Sequence, residues 1–350
     1  MKKRFLPRIF LGLCLLSIFI SGCGEGPSPG GASQKKQTST VFAMDTVMDL
    51  TIYGNENILK EAQDKILELE KQFSVTQEGS EIYRLNHGET VQLSAAALDL
   101  LTQALALCRR TNGALDISVY PLVRAWGFTT GEYQIPPDNE ISSLLEHIDF
   151  QALQLEPGQK TLLLPEGMEI DLGSVAKGYT GNVLISLLKE RGVTSALFNL
   201  GGNVHALGTK PDGSKWRIAI KNPFGEGTAG ILKIEDQAVV TSGGYERFFE
   251  KDGHVYWHIL DPATGRPAKN GLVSVTVTAK NGLLCDGLST ALFVMGEEKA
   301  IDFWKSSSDF EMILISEDKR MMVTEGLADS FSLSEDSPIS QKDYQVIAHD

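Results

Sequence analysis

The chain has 350 residues, 42% of them apolar, and a formal net charge of −13 from 45 acidic against 32 basic side chains. That length holds one large domain or two small ones, each with a full apolar core. The acidic balance disfavours nucleic acid and anionic lipid headgroups as partners, and an anionic substrate in such a field needs a local cation.

Residues 1–22 read as a leader. Lys2, Lys3, Arg4 and Arg8 form a basic start, and the apolar stretch from Ile9 to Ile20 is too short to span a bilayer comfortably. Ile20-Ser21-Gly22-Cys23 resembles a bacterial lipobox, so cleavage is expected before Cys23 and a lipid on its thiol. That anchor places the protein on a membrane surface, at its extracytoplasmic face. Gly24 to about Thr40 is rich in Gly, Pro, Ser, Gln and Lys and reads as a flexible tether. The folded domain is expected over 41–332, with a polar tail over 333–350 that frays. Of the remaining cysteines, Cys108 falls within a predicted helix, so Cys108 and Cys285 are expected as two buried thiols rather than a disulfide. There is no CxxC or Cys/His zinc spacing.

In chain order, 41–54 alternates and predicts one strand ending at Gly54. Ile58, Ala62, Ile66, Leu69 and Phe73 predict a helix over 56–73. A second helix is expected over 94–110, capped by Ser94 and stopped by Asn112-Gly113, and a shorter one over 138–147. A third long helix is expected over 174–191, capped by Ser174 and stopped by Gly192. Short strands follow at 195–200, 216–221, 230–234, 238–241, 247–250, 255–260 and 272–278, separated by Gly, Pro and Asp turns. Helices at 284–295 and 297–304 and a hairpin of 312–316 with 320–324 close the chain. Helices in the first half and antiparallel strands in the second predict α+β rather than doubly wound α/β.

Several short runs carry polar residues of chemical interest. His258-Ile259-Leu260-Asp261-Pro262-Ala263-Thr264-Gly265 sets an imidazole beside a rigid turn, although a strand surface explains a lone histidine as well. Asp286 and Thr290 lie four apart, on one face of a helix, and hard oxygen ligands of this kind suit Mg²⁺ when substrate phosphates complete the coordination. Helix capping explains the pair equally simply. Asp171-Leu172-Gly173-Ser174-Val175-Ala176-Lys177-Gly178 places an acid and a glycine turn ahead of a helix whose N-terminal N–H groups suit a phosphate. Gly178 after Lys177 suggests close approach of another group to that turn. Asp116 in Gly113-Ala114-Leu115-Asp116 is flanked by apolar residues and either contacts a ligand or caps a helix around 122–126. Asn199-Leu200-Gly201-Gly202-Asn203 follows a strand and fits either a ligand contact or a tight β-turn, Ala43-Met44-Asp45-Thr46 reads as plain core, and Thr241-Ser242-Gly243-Gly244 reads as a hairpin.

Taken in order, these runs resemble the ApbE family of FAD:protein FMN transferases, often lipoproteins, from about Val41 to Gly326. The resemblance implies a single α+β catalytic domain with mixed and antiparallel sheets. It implies an Mg²⁺-dependent transferase that breaks the pyrophosphate of FAD, esterifies FMN to a Thr or Ser hydroxyl of an extracytoplasmic redox protein and releases AMP. By motif, Met44, Ala114, Leu115, Asp116, Asp171, Lys177, Ile259 and Leu260 would line the FAD site. The backbone of Ser174 and the side chains of Asp286 and Thr290 would hold Mg²⁺, with Ser289 assisting, and His258 would take the acceptor proton. One departure stands out: many members carry a flavin-contacting Tyr after the first helix, where this chain has Phe73-Ser74-Val75-Thr76. The same site would serve an FAD pyrophosphatase, with water replacing the hydroxyl. A non-catalytic flavin-binding lipoprotein would need neither base nor metal.

Overall fold

The computed structural model describes residues 35–349. The leader, Cys23 and most of the tether lie outside the described residues.

The chain opens as a hairpin, β1 (Lys36–Ala43) and β2 (Thr46–Tyr53), rather than the single strand its alternation suggests. Met44 and Asp45 form the two-residue turn, both at positive φ (50° and 57°). That geometry reverses the chain with the twist a hairpin needs, without any glycine to announce it. Strand pairing therefore begins at Lys36, inside the stretch read as tether.

Helix α1 (Glu56–Phe73) follows, its Asn55 cap accepting from the Ile58 N–H at 3.2 Å. Three further helices are α2 (Glu81–Asn86), α3 (Ala95–Arg110) and α4 (Tyr120–Ala125), and α5 (Asp138–Leu145) precedes the small hairpin β3 (Gln154–Glu156) and β4 (Thr161–Leu163). Helix α6 (Ala176–Glu190) starts two residues later than expected, and no side chain caps it. Ser174 belongs to the preceding turn.

The strand-rich half contains β5 (Ala196–Leu200), β6 (Asn203–Leu207), β7 (Trp216–Lys221), β8 (Thr228–Ile234) and β9 (Ala238–Gly243). The hairpin β10 (Phe248–Lys251) with β11 (His254–Trp257) and the short pair β12 (Leu260–Asp261) with β13 (Arg266–Pro267) come next. The expected strand over 255–260 is thus two strands broken at His258-Ile259. The remaining elements are β14 (Leu272–Ala279), α7 (Gly282–Met295), α8 (Glu297–Lys305), β15 (Glu311–Ser316), β16 (Met321–Thr324), β17 (Phe331–Leu333) and β18 (Tyr344–Ile347). The polar tail does not simply fray: β18 pairs in parallel with β16.

Nine strands build the main sheet in the order β1-β2-β5-β6-β9-β14-β15-β16-β18, antiparallel throughout except at that last pair. Helices cover one face and the small sheet β17-β8-β7 covers the other. Strand β15 shows the consequence: Met312 and Leu314 join the helix-side core, while Ile313 and Ile315 join the core under the small sheet. A strand buried on both faces needs a continuous apolar run instead of alternation. Cys108 and Cys285 are free, buried thiols, and burial pushes Cys108 up to about 12, so both behave as small apolar groups.

Helices α6 and α7 cross in close contact. A Cβ on Gly178 would lie 2.2 Å from the Gly282 carbonyl oxygen and 2.7 Å from Asp286 Cβ. The group that approaches Gly178 is thus α7. Gly178→Ala is expected to wedge the two helices apart at a cost of about 1–3 kcal/mol. The check is a lower denaturant midpoint with an unchanged slope; an unchanged midpoint would mean the crossing can relax freely.

Candidate active site

Stretches far apart in sequence meet around one cleft of about 480 Å³. Its wall includes Met44 from the first hairpin turn, Ala114, Leu115 and Asp116 from the loop after α3, and Asp171, Ser174 and Lys177 from the turn into α6. His258, Ile259 and Leu260 arrive from the break after β11, and Asp286 and Thr290 from α7. Ser289 does not line it. That side chain is fully buried; its hydroxyl donates to the Asp286 carbonyl at 2.8 Å and lies 2.8 Å from Ser242 Oγ. Ser289 therefore stands behind the cleft wall, where it braces its neighbours.

Asp286 sits inside α7 and is only 5% exposed. Its Oδ2 accepts from the Gly178 N–H at 2.8 Å, a bond made possible by the glycine crossing. Burial raises the affinity of this carboxyl for a proton, while Lys177 and that N–H pull it back toward the charged form. Asp171 is in the same position: burial raises it, and the Gly173 N–H, Lys177 and Arg247 oppose the rise. Lys177, whose Nζ lies 3.1 Å from the Gly173 carbonyl, is thus the cation that both acids share.

The N-terminus of α6 has fewer free N–H groups than its sequence suggests. Val175 and Ala176 donate to the Leu172 carbonyl, and Gly178 to Asp286. Lys177 rather than the helix end is left to meet an anion here.

His258 is held by main chain. Its N–H donates to the Arg247 carbonyl at 3.0 Å, and its Nδ1 lies 3.1 Å from the same oxygen. A carbonyl only accepts, so Nδ1 carries the ring proton and Nε2 keeps its lone pair. Burial lowers its basicity to about 4, and the nearby charges of Arg247 and Lys177 act in the same direction. The turn after it is rigid: Asp261 Oδ1 accepts from the Ala263 N–H, the Asp261 carbonyl accepts from the Gly265 N–H, and Gly265 holds φ at 67°. His258 is therefore a positioned neutral imidazole rather than a surface strand residue.

Asp116 does not cap the following helix. Its Oδ1 accepts from both the N–H and the hydroxyl of Ser118, and its Oδ2 from the Phe150 N–H, which pins the 114–118 loop against the cleft. Met44 is fixed by its N–H, which donates to Glu70 Oε1 at 2.7 Å. Where many family members carry a Tyr, Phe73 packs edge-on against Tyr179, and Phe73, Ser74, Val75 and Thr76 all border the cleft.

The oxygen donors fit a hard divalent cation. Asp286 contributes a buried carboxylate that lacks a full counter-charge, and Thr290 and Ser242 hydroxyls lie 3.3 Å apart beside it. No group of three or more His, Cys, Asp or Glu side chains gathers anywhere among the described residues. One carboxylate with hydroxyl and carbonyl oxygens suits Mg²⁺ that takes its remaining ligands from water and phosphate. Among the cleft residues without an assigned role in the sequence are Ser242, Arg247 and Asn203. Arg247 precedes a strand and has no motif around it. The other two stood in runs that read equally well as turns.

A sequence model of the ApbE family matches residues 44–314. The chain belongs to the ApbE family. Proteins called FAD:protein FMN transferase from Vibrio cholerae and Salmonella typhimurium are 32% and 33% identical to it, covering 81% and 82% of this chain and 86% and 87% of their own lengths. The crystal structure of the ApbE protein from Thermotoga maritima superposes with a TM-score of 0.79 at 29% identity, covering 85% of this chain and 99% of that one. The flavin transferase ApbE from Vibrio cholerae gives 0.75 at 29% identity, covering 85% and 99%. The α+β architecture here is thus the ApbE fold.

Because the folded form of His258 binds its proton more weakly than the unfolded chain does, stability is expected to fall as pH drops from about 6.5 toward about 4. Imidazole NMR of the ligand-free protein should show His258 titrating near 4. A midpoint at the ordinary histidine value would remove the case for a half-buried neutral ring.

Proposed function

We propose that this chain is an FAD:protein FMN transferase, dependent on Mg²⁺, with a Ser or Thr hydroxyl of a redox protein as acceptor. Its family and its curated relatives support the reaction class. The observation that carries the residue assignment is the neutral His258, its Nε2 unprotonated, in one cleft with Lys177 and the buried Asp286. Storage of a flavin would require none of that charge arrangement.

In this reading His258 Nε2 takes the proton from the acceptor hydroxyl. The hydroxyl oxygen attacks the FMN-side phosphorus of FAD, the bond from that phosphorus to the bridging oxygen breaks, and AMP leaves with the oxygen. Lys177 offsets the charge that grows on the pyrophosphate, with Arg247 close enough to share the task. Asp286 and Thr290, with Ser174 and the hydroxyl of Ser242, would hold Mg²⁺, which when bound neutralises phosphate charge. Ser289 has no direct part in that shell. Met44, the pinned 114–116 loop, Asp171, Ile259 and Leu260 would form the walls against FAD. We further propose that Cys23 carries the lipid and that the enzyme works on the extracytoplasmic face of a membrane.

His258→Ala is expected to leave FAD binding within a few-fold and to lower transfer by about 10²-fold or more. Acceptor mass and in-gel flavin fluorescence, read together, check this. Full transfer by that variant would remove the base from His258, and release of FMN and AMP with no labelled acceptor would favour hydrolysis. Asp286→Ala is expected to lose turnover at low Mg²⁺ and to recover part of it at high Mg²⁺. Cys23→Ala should move the protein from the membrane to the soluble fraction on cell fractionation; unchanged membrane association would sink the lipid anchor.

A further inference from the structure

Asn203 is the first residue of β6, directly after the Gly201-Gly202 turn, and it lines the cleft while being only 1% exposed. Its two amide atoms have very different surroundings. Oδ1 lies 2.7 Å from His205 Nε2. Nδ2 is buried and has no hydrogen-bond partner among the described residues. A buried donor left without a full partner is costly, so its persistence calls for something that satisfies it.

The orientation of the amide is set from behind. His205 is buried between α6 and α7, where a Cβ on Gly181 or on Gly282 would fall 2.0 Å from its ring. Burial lowers its basicity to about 3, so the ring is neutral. An amide oxygen only accepts, so Nε2–H is the donor to Asn203 Oδ1. With the oxygen held by His205, the –NH₂ must point the other way. There it faces the Asp286 carboxylate and helps hold it toward its charged form, in a geometry that falls short of a full hydrogen bond. The opposite amide orientation would set an oxygen against that carboxylate.

We propose that Asn203 Nδ2 is a substrate-binding donor for a pyrophosphate oxygen held beside Asp286, with His205 as the positioning residue that aims it. The assignment rests on the flavin-dinucleotide reading of the cleft and adds to it a neutral donor beside the lysine. A neutral donor suits this place because a second lysine would compete with a divalent cation for the same acid.

The test is binding, by calorimetry or flavin fluorescence with Mg²⁺ present, of FAD, ADP and riboflavin. ADP has the pyrophosphate without the flavin, and riboflavin the flavin without phosphate. Asn203→Leu keeps the volume and removes the donor, and Asn203→Asp keeps the shape and puts an acceptor in its place. Thermal melting would confirm that each variant is folded. Both variants are expected to bind FAD and ADP roughly tenfold or more weakly than the native chain, and riboflavin within twofold of it. His205→Gln, which retains an N–H of similar reach, should recover much of the affinity that His205→Leu loses. Unchanged FAD and ADP affinity in the folded Asn203 variants overturns the assignment, and so does an equal loss for riboflavin, which would mark a structural role. Native protein that binds ADP but no flavin would count against the flavin reading while leaving the Asn203 comparison intact on ADP. Native protein that binds neither would overturn both.

Discussion

The site depends on the contact between two helices that lack side chains where they cross. Gly178 on α6 and Gly282 on α7 let the backbones meet closely enough for Asp286, in a largely apolar helix, to accept the Gly178 N–H. That one bond orients a buried carboxylate and uses a helix N–H that would otherwise lack a partner. Gly181 and Gly282 also leave the slot that His205 fills. The crossing thus sets two neighbouring polar groups at once, Asp286 directly and Asn203 through His205. A methyl group at any of these glycines has nowhere to go in a close-packed interior.

Electrostatics explains the rest of the arrangement. A protein with a net charge of −13 must concentrate positive charge locally to receive an anionic dinucleotide. Lys177 and Arg247 supply it, and they act on all three titratable groups around them. They hold Asp171 toward its charged form, Lys177 does the same for Asp286, and both keep His258 from taking a proton before an acceptor arrives. One pair of cations therefore serves binding and keeps the imidazole unprotonated. A divalent ion beside Asp286 would reinforce both effects.

The cleft walls are held by backbone more than by packing. Met44 and Asp45 sit at positive φ without glycine, a conformation that persists only because the nine-stranded sheet and the Glu70 carboxylate fix both ends of the turn. Asp116 spends its oxygens on Ser118 and Phe150, and His258 hangs from a single carbonyl of Arg247. Each element reaches the cleft as a loop braced by a rigid scaffold, the usual division of labour between site and fold.

Much of this was legible in the sequence because it rests on local physics. The periodicity of Ile58, Ala62, Ile66, Leu69 and Phe73 placed α1, and the ordered motifs marked the family and the stretches that meet in the cleft. Tertiary structure decided what depends on distant partners. The hairpin at Met44-Asp45 had no glycine to betray it, and β18 found its partner in β16 only after the chain had returned to the sheet. Ser289 shares its helix with Asp286 and Thr290, but the turn of that helix points it behind the wall. Asn203, a turn residue by its local sequence, gains its buried, unsatisfied donor only when His205 and Asp286 close around it. Sequence determines which groups are available and which local shapes they favour; only folding decides which of them lose water and face one another, because burial is a property of the whole chain.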